Sequence, residues 1–155
     1  MADGTVELLR ELTEAHGISG YEQEVREIIR RHLRGITTIE QDGLGSIVCR
    51  KKGETESPRI MLAGHMDEVG FIVKLVTDEG FIRFSPVGGW WGHVLLAQRV
   101  IIKTRKGDIT GIIGSKPPHV LTDEERKKLL EPKDMYVDVG AISKEEVKEL
   151  DIRVG

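Results

Sequence analysis

Apolar positions fall at helical spacing in the first part of the chain and run as strands do in the rest. In "TVELLRELTEAHG", Leu8, Leu12 and Ala15 share one face and Gly17 supplies a stop, so a helix is expected. After the turn-like "ISG", the segment "YEQEVREIIRRHLRG" places Val25, Ile28, Ile29 and Leu33 on one face. Its acids come early and its arginines late, as the helix dipole favours. The runs "ITTIEQD" and "GSIVCRK" read as short strands around "GLG", a hairpin or a tight crossover. "RIMLAG" is continuously apolar, the pattern of a strand buried on both faces at the centre of an α/β sheet.

Past His65 the pattern changes. "VGFIVKLV" and "FIRFSPVGG" flank the turn "TDEG", and "VLLAQRVIIKT" and "ITGIIGSK" flank "RKGD". "MYVDVGA" adds a strand. Thr122 with Glu125, and Ser143 with Glu146, are capping-box signatures before two short helices. Closely spaced strands joined by Gly-containing turns predict a small barrel or sandwich. The boundary falls near Met66–Glu68, giving an α/β portion over residues 1–66 and a β-rich portion over 67–155. The end, "KELDIRVG", offers "IRV" as the start of another strand. Two helices and about three strands are few for a stand-alone sheet. Both features lead us to expect a fold that continues beyond Gly155.

Composition narrows the picture only slightly. The chain has 155 residues and a net charge of -3, with no basic stripe that would suggest nucleic acid. Its start lacks the basic and apolar regions of a signal peptide. No apolar stretch reaches the ~20 residues that span a bilayer. The one cysteine, Cys49, fits a reducing compartment and a cytoplasmic location, and reads as strand packing rather than as a nucleophile.

The candidate chemistry lies in "MLAGHMDEVG". Loops leaving the carboxyl ends of strands in an open α/β sheet are where ligands bind, and His65 falls there if "RIMLAG" is a central strand. Imidazole ligates zinc or cobalt, and its second nitrogen usually meets a carboxylate or carbonyl that fixes the tautomer. Residues two apart on a strand end point the same way, so Asp67 can reach back to His65. The simpler reading is a surface histidine beside a solvated acidic turn. A mononuclear site from His65, His93 and His119 is conceivable, but nothing in their spacing forces convergence. His16 and His32 lie on the predicted helices. His119, after two stiffening prolines, reads as structural or interfacial. Trp90 and Trp91 would face opposite sides of a strand, one into the core and one suited to a subunit contact. "EERKK" reads as a solvated helix face.

"AGHMDEVGFIV", "VGGWW", "LLAQRV", "GIIGSKPPH" and "VDVGA" occur in that order. Together they resemble the glutamyl aminopeptidase, or tetrahedral (TET) aminopeptidase, family of dinuclear metallopeptidases, family forty-two. The resemblance runs over essentially the whole chain. It implies an α/β fold: an incomplete α/β/α peptidase domain followed by an inserted β-rich, barrel-like dimerisation domain. It also implies two divalent metal ions, zinc or cobalt, a peptide substrate, and a homo-oligomer that is a dimer or a tetrahedral dodecamer. His65 matches the family's first metal ligand and Asp67 the catalytic acid that orients it. The bridging aspartate, the Glu-Glu pair and the remaining ligands match nothing here, so the polypeptide alone is expected to be inactive. The alternative is a non-catalytic oligomerisation or peptide-binding β-module. Nothing supports the endoglucanase label some relatives carry, because glycoside hydrolysis wants a facing carboxylate pair.

Overall fold

The computed structural model describes residues 4–155, which divide into two compact units at Glu68–Val69. In the first unit, helix α1 (Gly4–Glu14) and helix α2 (Gln23–Leu33) form where the periodicity places them. Ala15, Val25 and Ile28 are buried, with Leu8, Leu12, Ile29 and Met66 packed against them. Glu11 ties the helices together. Its carboxylate lies 2.9 Å from Arg31 Nη2 and 2.6 Å from His32 Nε2. Strands β1 (Thr38–Gln41) and β2 (Ile47–Arg50) pair antiparallel, which decides for the hairpin over the crossover. Asp42 closes their loop by accepting hydrogen bonds from the Leu44 and Ser46 amides, both at 2.9 Å.

The expected inner strand over 59–64 does not form. Ile60, Met61 and Leu62 are 82%, 87% and 94% exposed, and no ladder hydrogen bond reaches this segment among the described residues. A strand buried on both faces needs a partner at each edge and cover on each side. The one hairpin among the described residues of this unit offers neither to the segment.

In the second unit β3 (Gly70–Val76), β4 (Ile82–Val87), β5 (Arg99–Thr104), β6 (Gly107–Ser115) and β7 (Met135–Asp138) make an antiparallel sheet in the order β3-β4-β7-β6-β5. The expected barrel or sandwich is instead an open sheet curled as a half-barrel, because β3 and β5 end the order without pairing to each other. Period-two alternation sends Ile82 and Phe84, Ile113, and Met135 and Val137 to the inner face, where Leu95, Val147 and Ile152 complete the core.

Helix α3 (Asp123–Arg126) starts on the expected Thr122–Glu125 capping box. Helix α4 (Lys144–Glu149) is capped by Ser143, but the Glu146 carboxylate accepts from the Ile142 amide at 3.0 Å rather than from Ser143. The "IRV" run forms no strand. Its stretch packs Ile152 into the core, and the Gly155 amide donates to Val73 O at 3.0 Å. Trp90 and Trp91 lie beyond β4 rather than on it. Trp90 stacks on Phe71 and donates from Nε1 to Gly70 O at 3.0 Å, while Trp91 is 67% exposed beside His93. No helix among the described residues is long and apolar enough to cross a membrane.

Candidate metal-ligand site at His65

Two short segments of the first unit build the site. After α1 the chain turns at Ile18–Tyr21, closed by the Tyr21 amide on Ile18 O at 2.8 Å. Gly20 has φ +91° at the third position, the conformation a type II turn requires there. The Gly20 amide donates to Glu22 Oε1 at 2.6 Å, and Arg26 Nη1 holds the other Glu22 oxygen at 3.1 Å. The Gly20 amide, ahead of the Arg26 partnership, keeps the Glu22 carboxyl below its usual range.

The second segment, 64–68, runs alongside through a parallel bridge between Ile18 and Glu68. The Glu68 amide donates to Gly17 O at 2.8 Å, and the Gly17 amide donates to Glu68 Oε1 at 3.1 Å. Glu68 is thereby committed to a clamp on the backbone. Met66, between His65 and Asp67, packs against the Ala15, Val25 and Ile28 cluster. With Met66 turned inward, its neighbours His65 and Asp67 stand on the opposite side of the extended chain.

There His65 Nδ1 lies 3.0 Å from both the Asp67 carbonyl oxygen and Asp67 Oδ1. Both are acceptors only, so the neutral form of the ring carries its hydrogen at Nδ1 and leaves its lone pair at Nε2. The side chain is 85% exposed, and Nε2 makes no hydrogen bond among the described residues. Its Nδ1 side is tied down and its Nε2 side is presented to solvent. The second Asp67 oxygen accepts a short hydrogen bond from Ser19 Oγ. That hydroxyl, ahead of the His65 ring, holds the Asp67 carboxyl below its ordinary range.

Sequence reasoning singled out His65 and Asp67 but missed Ser19 and the Gly17–Glu68 clamp. "ISG" reads as a turn, yet nothing local says what its hydroxyl faces. The other histidines make no shared site. His93 packs on Trp91, His32 is paired with Glu11, and His119 lies in the short 3-10 turn Pro118–Val120. Among the described residues no group of three or more His, Cys, Asp or Glu side chains is placed to hold a metal ion. The donor chemistry fits one ligand position. It does not fit a complete centre, which takes about three protein ligands.

The motif order agrees with comparisons to known proteins. The model of the M42 glutamyl aminopeptidase family matches residues 45–155, and a second model, described as AMPT, matches residues 3–29. FrvX of Escherichia coli (strain K12) is 45% identical over 152 residues, covering 97% of this chain and 42% of FrvX. The TET aminopeptidase structure from the marine sediment archaeon Thaumarchaeota archaeon SCGC AB-539-E09 superposes with a TM-score of 0.93 at 47% identity. That match covers 99% of this chain and 43% of the archaeal one. The TET1 peptidase of Pyrococcus horikoshii, which can assemble into a tetrahedron or a large octahedral shell, superposes with a TM-score of 0.81 at 37% identity, covering 96% of this chain and 44% of that one. The chain thus spans about two fifths of the length of these relatives. It belongs to the M42 glutamyl aminopeptidase family.

Proposed function

We propose that this chain supplies one ligand, His65, and its orienting acid, Asp67, to the centre of a metal-dependent aminopeptidase that removes residues from the N-termini of peptides. The observation that carries this reading is the His65 ring itself, with two acceptors at Nδ1 and Nε2 presented outward. Asp67 holds the Nδ1 proton, so Nε2 meets a cation as a neutral lone pair in a set direction. His65 would hold one of two divalent ions, zinc or cobalt, and such ions would supply water activation and carbonyl polarisation when bound. One imidazole does not retain them, so the 155-residue polypeptide by itself is inactive in this reading.

The second unit, Val69–Gly155, is assigned to dimerisation and larger assembly. Its exposed Trp91, Ile101 and Ile112 support that assignment, as does the multi-subunit assembly of the Pyrococcus horikoshii relative. The test is hydrolysis of an aminoacyl-p-nitroanilide with added cobalt or zinc, by this polypeptide and by a form extended past Gly155. Turnover by the extended form, abolished by His65→Ala together with cobalt binding, is the expected result. Turnover by the short form overturns its inactivity, and silence from both overturns the peptidase reading.

A further inference from the structure

We infer that Ser19 is a positioning residue of this site: its hydroxyl fixes the Asp67 carboxylate and, through it, the tautomer and direction of the His65 ring. Asp67 has two carboxylate oxygens with separate duties. Oδ1 faces His65 Nδ1 at 3.0 Å and Oδ2 accepts from Ser19 Oγ. A carboxylate held by one oxygen alone rotates about its terminal torsion, which is broad and roughly two-fold. A second hydrogen bond on the far oxygen removes that freedom and sets the plane in which Oδ1 meets the imidazole.

Ser19 is itself immobilised from behind. It occupies the second position of the Ile18–Tyr21 turn, whose Gly20 amide is held by Glu22 at 2.6 Å. Glu22 is in turn held by Arg26 on the first turns of α2, and both side chains are mostly buried, at 16% and 11% exposure. The flanking residue Ile18 bridges to Glu68, next to Asp67, so the hydroxyl and the carboxylate are brought together by backbone as well as by side chain. The relay therefore runs from Arg26 through Glu22, the turn and Ser19 to Asp67 and His65. Its parts come from sequence positions as much as 48 residues apart. Without the hydroxyl, Oδ1 loses its fixed plane and only the Asp67 carbonyl remains aimed at Nδ1. The ring then exchanges more freely with the Nε2–H form, which has no lone pair at Nε2 to offer a cation.

The consequence for metal binding rests on the reading of His65 as a ligand, whereas the tautomer does not. We therefore read the tautomer directly, in the 155-residue chain without metal, from long-range proton–nitrogen correlations of the His65 ring above the ordinary imidazole titration range. In the wild-type chain the two ring nitrogens should be widely separated, with Nδ1 protonated. In Ser19→Ala they should move toward one another, and Ser19→Thr, which keeps the hydroxyl, should restore the separation. Unchanged ring-nitrogen positions in Ser19→Ala overturn the proposal. If the alanine variant also disturbs the Gly17 and Glu68 amides, Ser19→Cys decides, since it keeps the shape and offers only a weak donor. Convergence of the two resonances in that variant supports the role, and retained separation overturns it. Convergence in a chain whose extended form never turns over would leave the positioning role standing and sink only the peptidase reading.

Discussion

Gly17 stands where the chain leaves α1, between α2 and the segment that carries Asp67, and it offers a quantitative test of how that segment is held. A Cβ at this position would lie 2.8 Å from Val25 Cγ2 and 3.5 Å from Met66 O. Carbon pairs settle at about 3.5 Å or more, so roughly 0.7 Å of overlap must be absorbed. Val25 cannot absorb it easily. It is 6% exposed, packed with Ala15 and Ile28, and stiff at χ1 on a helix. Overpacking of this kind costs about 1–3 kcal/mol. Relief requires residue 17 to move away from Val25, which loosens its paired hydrogen bonds with Glu68. Native-state hydrogen exchange at the Glu68 amide should therefore accelerate roughly 5- to 140-fold in Gly17→Ala, at about 1.4 kcal/mol per decade. Val25→Ala removes the opposing methyls, so the double variant should be destabilised by less than the two single changes added together. Wild-type exchange at Glu68 in Gly17→Ala, or strict additivity in the double variant, would refute the packing argument.

Other outcomes follow from the second unit. Ile113, 1% exposed, should cost about 2–5 kcal/mol on truncation to alanine, read as a lowered denaturation midpoint; a loss well under that range would remove it from the core. Gly88 has φ +82° and leaves a Cβ only 2.6 Å from Val69 Cγ1, whereas Gly89 has nothing within 4 Å, so Gly88→Ala should destabilise far more than Gly89→Ala and equal effects would count against this turn geometry. The Thr122 amide, then the Lys116 ammonium, hold the Glu125 carboxyl down to about 2 from its ordinary 4.5. A lowered value means that the charged form is favoured in the fold. Its contribution is complete above the ordinary carboxylate value and is lost as pH falls through about 2. Carbon NMR of Glu125 with a midpoint near 4.5 would contradict the capping box.

What the sequence revealed divides along physical lines. Helices α1 and α2 and the hairpins were legible because each is decided by residues within one or two turns of one another. Val25 and Ile28 face a core that Leu8, Leu12 and Ala15 announce at the same spacing. The His65–Asp67 contact was legible for the same reason, since its partners lie two positions apart. Segment 59–64 was misread because its apolar run specifies a demand for neighbours, and the neighbours lie outside the pattern. Closing a barrel likewise depends on whether β3 meets β5, a pairing no local run encodes. Ser19 escaped notice because a lone hydroxyl in a turn carries no period and its acceptor is 48 positions away.

The clamp between Gly17 and Glu68 has a consequence for how error spreads into the site. His65 is moored from its carboxyl-terminal side only. Residues 60–64, which lead into it, make no hydrogen bonds among the described residues, while those just after it are locked to the turn at 17–19. Alterations upstream, at Met61 or Leu62, should leave the angle between imidazole and carboxylate as it was. A shift of the short stretch after α1 carries the whole His65–Asp67 pair with it, so the aim of the lone pair is governed by three residues that never touch it.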